Sequence, residues 1–246
     1  MASVFGSRLD LLVRLIDTTT GAAVEESNVH FLRDEREVRP ESRGPGTYIF
    51  INTGREDFLM QIRVKGYEEY ERLVSYDKLD ERIPECDVFL IPSENTVKGE
   101  SLLGLSGNLP FLEALEAVNL NRVVCHANEY DPKTKVLSVF GQMGGRVSLY
   151  DTFYGLLDES GESYERIEVA RNETPQSVLL KNPLEKEVKS NSPMMRVVFG
   201  CVKKNGDYLL RVRDDGEEIR YLLKVTLKGE NRFLTVDFRE AKEILL

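Results

Sequence analysis

The sequence predicts an all-β protein: two β-sandwich-like domains joined by a linker that carries one short helix. Three observations predict it. Short runs alternate apolar and polar side chains, the period of a strand with one buried face. Turn chemistry separates those runs, at Gly44-Pro45-Gly46, Asp131-Pro132-Lys133-Thr134, Asn205-Gly206 and Asp214-Asp215-Gly216, where glycine and Asx residues close hairpins. Finally, 246 residues exceed the needs of one ordinary sandwich, taking about 100–200 residues per domain.

The first expected domain is residues 1–92. Residues 8–17 put Leu9, Leu11, Val13 and Leu15 on one face and Asp10, Leu12, Arg14 and Ile16 on the other, which makes a half-buried strand. Asp17-Thr18-Thr19-Thr20-Gly21 follows as a turn, its short polar side chains able to bond nearby backbone and its glycine free to take positive φ. A second strand is expected over 29–33, and the charge-dense residues 34–43 read as a solvated hairpin or loop. Gly44-Pro45-Gly46 then turns the chain into Thr47-Tyr48-Ile49-Phe50-Ile51, an aromatic and β-branched run suited to a pleated sheet. Further strands are expected over 58–65 and 69–75. Alternation returns over 86–92, where Pro92 ends the pairing.

Taken in order, Asp17, Thr20, Gly21, Val29, Phe31, Gly46, Tyr48, Phe50, Gly66, Tyr67, Asp87, Val88, Leu90 and Pro92 form a pattern that resembles the transthyretin-like, or carboxypeptidase regulatory-like, domain. The likeness covers about a third of the chain and rests on turn and core residues. It implies a Greek-key β-sandwich of about seven strands that serves as an accessory, stability or assembly module beside another domain. No ligand-binding residue matches, so none is carried over.

Residues 93–120 are expected to be the linker and helix. The glycine and serine content of 93–108 suits a connector, with Leu102, Leu103 and Leu105 laid against a neighbour. Phe111, Leu112, Leu115 and Val118 fall at helical spacing, with Asn108 as cap and Pro110 in the first turn. The second domain, 121–246, opens with strands over 122–130 and 135–140 around the Asp131 turn, and 146–157 pairs with 164–171. Strands over 195–203, 208–213, 219–227 and 233–238 complete an antiparallel β-sandwich or β-meander, for which no family resemblance is seen.

Composition narrows the function. A net charge of -9 argues against a nucleic-acid partner, which would call for lysines and arginines clustered on one face. No apolar stretch reaches the roughly 20 residues that span a bilayer, and the N-terminal residues lack the basic and apolar regions of a secretory signal. A cytoplasmic product is expected. Cys86, Cys125 and Cys201 are odd in number and far apart, the pattern of buried free thiols and not of a disulfide framework or zinc site.

Catalytic chemistry finds little purchase. His30 and His126 each stand alone in a strand-like run, and neighbours Cys125 and His126 point to opposite faces of any strand they share. Asp214, Asp215, Glu217 and Glu218 lack the register of a calcium loop and read as a solvated turn. Residues 141–146 are glycine-rich without the lysine and helix of a phosphate loop, and Glu113 and Glu116 read as a solvated helix face. No catalytic residue, metal or cofactor is therefore expected. The aromatic groups Tyr67, Tyr70 and Tyr76, and Tyr150, Phe153 and Tyr154, are the candidates for an interface. The expected role is a non-catalytic structural or adaptor protein making protein contacts, or self-associating, in a larger bacterial assembly such as a phage-tail-like particle. A carbohydrate-binding module, predicting a flat row of exposed aromatics around a saccharide, and an unrecognised hydrolase with a pocket at His30 or His126 are the alternatives.

Overall fold

The structure is a computed structural model, and it describes residues 8–25, 28–93, 101–141, 147, 149, 153–214 and 219–244. Among the described residues regular structure is strand throughout, apart from one 3-10 turn at Tyr76–Lys78. The chain divides into two compact units, Met1–Asp17 with Ala23–Lys98, and Thr18–Ala22 with Gly99–Leu246.

The first unit is built of two four-stranded sheets. One runs β4 (Glu41–Gly44), β5 (Thr47–Ile51), β1 (Leu9–Asp17), β8 (Glu85–Leu90); the other runs β3 (Arg36–Val38), β2 (Val29–Arg33), β6 (Phe58–Val64), β7 (Tyr70–Val74). β1 lies antiparallel to β5, with Val13 opposite Tyr48, and parallel to β8, with Val13 opposite Cys86. The apolar face expected of β1 is realised, with Leu11, Val13 and Leu15 fully buried, but the strand is not half-buried as expected: Asp10, Arg14 and Ile16 on the opposite face are buried as well. Leu11, Val13 and Leu15 join Phe31, Phe50, Phe58, Met60 and Val88 in one core, where the Phe31 and Phe50 rings meet edge-on at 5.7 Å. On the other face of β1, Arg14 forks onto the Asp87 carboxylate with two bonds of 2.8 Å, directly across the parallel register. The charged stretch read as a hairpin or loop holds β3 and β4. Asp34 and Glu35 both take positive φ between β2 and β3, a two-residue turn usually marked by Asn-Gly.

The second unit begins earlier than expected. Residues 101–119 form two strands, β9 (Ser101–Asn108) and β10 (Leu112–Asn119), not a connector and helix. The apolar spacing was helical because Leu115, Glu116, Ala117 and Val118 are all buried in succession, so β10 is covered on both faces and loses the period of two. Gly107 of β9 has a packing reason: a Cβ there would stand 2.8 Å from the Tyr208 hydroxyl, so the strand leaves room for that ring to lie across it.

Six further strands close on themselves. β11 (Cys125–Asp131), β12 (Val136–Phe140), β15 (Ser177–Leu180), β14 (Tyr164–Thr174), β13 (Phe153–Leu157) and β16 (Ser192–Phe199) pair in that order, and β16 pairs back to β11. The result is a small antiparallel barrel, a closure that removes sheet edges, where an open sandwich or meander was expected. Its core includes Cys125, Leu137, Val139, Tyr154, Val169 and Met194. β16 is shared. Its first residues pair β11, Met194–Arg196 pair β13, and Val197–Phe199 pair β10. β10 in turn carries β19 (Arg220–Leu227) and β20 (Glu230–Asp237), while β9, β18 (Asp207–Asp214) and β17 (Cys201–Val202) form a three-stranded sheet. A second core, with Leu105, Leu115, Val198, Leu210, Tyr221 and Val225, lies between these layers. Gly200, where the chain passes from β16 to β17, has no room for a side chain: a Cβ there would approach the Leu115 side chain to 2.9 Å.

Candidate functional site

The six aromatics expected at an interface divide by burial. Phe153 and Tyr154 are core residues, 6% and 1% exposed, and this corrects their assignment as contact residues. β13 is covered on both sides: Tyr154 belongs to the barrel core, while Phe153 packs edge-on against Phe199 at 5.3 Å and lies beneath the Arg166 guanidinium. Tyr150 lies outside the described residues. Tyr67, Tyr70 and Tyr76 are half-buried and packed against the core of the first unit. The Tyr67 hydroxyl donates to the Asp17 carboxylate at 2.9 Å, so that ring is tied down.

The chemistry set aside in the sequence finds structural places. His30 is exposed and stands 3.6 Å from Glu37. His126 stacks on Phe140 across β11 and β12 with centroids 5.5 Å apart. Cys125 turns inward from the same strand, its sulfur 3.7 Å from that of Met194, and burial pushes the thiol up to about 12. Glu113 and Glu116 do not share a face: Glu113 accepts the Gly229 N–H, whereas Glu116 is buried and meets Arg166 at 2.5 Å. Asp214 pairs with Arg239 at 3.2 Å, while Asp215, Glu217, Glu218 and residues 142–146 lie outside the described residues. Among the described residues, no group of three or more His, Cys, Asp or Glu is placed to hold a metal ion.

Thiol burial gives a direct prediction. Reactive cysteines are exposed thiolates, and burial raises both Cys86 and Cys125, so a maleimide should label Cys201 alone in the native chain and all three cysteines after denaturation. Labelling of Cys125 without denaturant, read by peptide mass, would show that the barrel opens.

The surface best suited to contact is the outer face of the β3-β2-β6-β7 sheet. Strand alternation puts Phe31, Met60 and Val74 toward the core and Leu32, Leu59 and Leu73 on the opposite face. Leu73 and Leu59 are direct cross-strand partners, and Leu32 lies one diagonal away, opposite Gln61. Leu73 is 60% exposed. Polar pairs border these leucines along one side of the sheet: Gln61 with Glu71 at 2.7 Å, Arg63 with Glu69 at 2.8 Å, and His30 with Glu37. Among the described residues β7 is one edge of this sheet, so its outer backbone suits pairing with an added strand. After β7, Ile83 is 51% exposed on a turn held by the Asp80 carboxylate, which accepts the N–H groups of Arg82 and Ile83. Those bonds, from Ile83 and then Arg82, hold the Asp80 carboxyl below its ordinary range. No sequence motif announced this surface; the signal available was an apolar residue at an outward position of β7, legible only once the register is known.

No family model and no curated protein matches the sequence. Among solved structures, the chain is similar to one titled "The Bacillus anthracis TIE protein", at 11% identity and a TM-score of 0.24, over 98% of this chain and 49% of that one. The chain thus spans about half the length of that protein, and a likeness of this size constrains neither fold nor activity.

Proposed function

We propose that the protein is a non-catalytic structural or adaptor protein that makes protein–protein contacts within a larger assembly, with a transthyretin-like first unit as the contact module. The observation that carries this reading is the exposed leucine at the sheet edge: Leu73 stands 60% exposed on β7, beside Leu59 and bordered on one side by polar pairs. An apolar patch next to polar groups suits a protein interface, and covering a leucine of this kind contributes about 1–2 kcal/mol. The two four-stranded sheets of the first unit support the sandwich implied by the resemblance. A saccharide site would call for a row of exposed rings; among the described residues Phe111 is the one strongly exposed aromatic, and Lys228 lies over it at 4.3 Å. The assembly reading is therefore preferred.

Light scattering over a concentration series tests it. The wild-type chain is expected to gain mass with concentration, and Leu73→Glu, which changes a side chain outside the core, is expected to remain monomeric with an unchanged melting temperature. A wild-type chain that stays monomeric throughout removes self-association through this face.

A further inference from the structure

Three neighbouring strands of the second unit lose the alternation that tells one face from the other. Leu115, Glu116, Ala117 and Val118 of β10 are buried in succession, as are Val197, Val198 and Phe199 of β16 and Tyr221, Leu222 and Leu223 of β19. Where both faces are apolar, a slip of one residue exchanges them at little hydrophobic cost, so burial alone does not fix the register. Glu116 breaks the apolar run. We propose that its buried ion pair with Arg166 is a register lock, which selects one alignment of β10 between β16 and β19 and one face of β10 for contact with β13 and β14.

The pair lies in a seam between β10, β19 and β20 on one side and β13 and β14 on the other. Leu115 and Ala117 point into the second core, and alternation sends Glu116 and Val118 the other way. There a Cβ on Gly155 of β13 would stand 2.5 Å from the Val118 side chain and 2.9 Å from the Tyr164 ring. Tyr164 of β14 meets Phe233 of β20 with centroids 5.5 Å apart, and the Arg166 guanidinium lies 5.5 Å from the Phe153 centroid while its Nη1 donates to Glu116 Oε1 at 2.5 Å. A slip of one residue would turn Glu116 into the second core, among Leu105, Leu210 and Val225 and away from Arg166. A buried carboxylate left without a partner is strongly destabilising, so the slipped alignment is excluded.

The pair is poorly built for stability alone. The other Glu116 oxygen, Oε2, and the Tyr164 hydroxyl are buried without a hydrogen-bond partner. Burial, and then the Glu116 charge, push the Tyr164 phenol well above its ordinary value against the opposing Arg166. Desolvating a carboxylate and leaving one of its oxygens bare offsets the Coulombic gain, whereas a single buried polar group in an apolar seam is well suited to choosing one register from several. This inference is independent of the interface on the first unit.

Amide correlation spectra, hydrogen exchange and calorimetry of the full chain test it. Glu116→Leu removes the marker and leaves Arg166, whose side chain is 44% exposed, able to turn to water. This variant is expected to melt within about 3 °C of the wild type, yet to show doubled or broadened amide signals in β10 and β19 and exchange there about tenfold faster. Signals of the β11–β12 hairpin should stay single. Arg166→Met leaves the Glu116 carboxylate buried and unpaired, and should melt about 10 °C lower. Arg166→Lys keeps a cation within reach and should keep a single set of signals, which preserves the comparison if Arg166→Met does not fold. One sharp set of signals in Glu116→Leu, with wild-type exchange in β10, overturns the proposal. So does a Glu116→Leu chain that melts as low as Arg166→Met with a single set of signals, because the pair then serves stability and not register.

Discussion

Asp10→Ala is expected to destabilise the first unit by about 3 kcal/mol, the scale for removing a buried charged acceptor from its donors. Asp10 is completely buried on β1. Its carboxylate accepts the backbone N–H groups of Thr53 at 2.5 Å and Gly54 at 3.0 Å, and the Arg8 side chain at 2.7 Å, with the Arg55 Nε 3.9 Å away. These bonds tie the first strand to the bend between β5 and β6, where Asn52 and Gly54 hold positive φ. Truncation strands the two backbone donors and leaves the Arg55 guanidinium beside an apolar methyl. The exposed Arg8 contributes little, since an ion pair with a solvated partner is weak. Asp10→Asn keeps an acceptor without the charge and should lose less.

The same carboxylate sets a pH dependence. Burial raises the Asp10 carboxyl, and the bonds from Arg8, Gly54 and Thr53 outweigh it, leaving the group below its ordinary value. A carboxyl with a folded-state value below its unfolded one, about 3.9, binds protons more readily when the chain unfolds. Its stabilisation is therefore complete above that value and is lost as pH falls through the lower folded-state value. Urea unfolding at pH 7 and at pH 3 should show wild type and Asp10→Ala converging in acid. Curves that stay equally far apart at both pH values would place the effect of the substitution in packing, not in charge.

The first unit was largely legible because its strands obey one rule. β2, β5 and β6 keep one face turned to the core, so alternation locates them, while in β1 the sequence still alternates although Asp10, Arg14 and Ile16 on its second face are buried too, and Gly46 and Gly66 take the positive φ that their turns demand. The second unit hid where one strand serves two cores. β10 reads as a helix because Leu115 to Val118 are buried without a break, and its Leu, Glu and Ala residues favour helix until tertiary pairing overrides them. β15, Ser177–Leu180, lies between the strands expected over 164–171 and 195–203, where none was expected: it is four residues long, too short for a period to declare itself. Barrel closure was illegible for another reason. It depends on the pairing of β11 with β16, residues far apart in sequence, and no local pattern encodes a partner. The sites were less legible still. The outward leucines need the register of three strands before they line up. Aromatic clustering, the one local signal that had pointed to an interface, led for Phe153 and Tyr154 to the two buried faces of β13.

That last misreading supplies a sharp test. Tyr154→Ala is expected to cost about 3–5 kcal/mol, as for other large buried aromatics cut to alanine, which lowers the melting temperature by roughly 10 °C in a chain of this size. The ring is 1% exposed and belongs to the barrel core with Cys125, Leu156, Ile167 and Met194. The cavity cannot collapse from outside, because β13 is also covered on its other face: a Cβ at the adjacent Gly155 would stand 2.5 Å from Val118 and 2.9 Å from Tyr164. Tyr154→Phe keeps the ring and should retain most of the stability. Calorimetry paired with light scattering then separates a core tyrosine from a contact one. Tyr154→Ala should lower the melting temperature without changing the concentration dependence of the native mass. Leu73→Glu should do the reverse. A Tyr154→Ala chain that melts like the wild type while losing its self-association would put the ring at an interface and contradict the closed barrel around it.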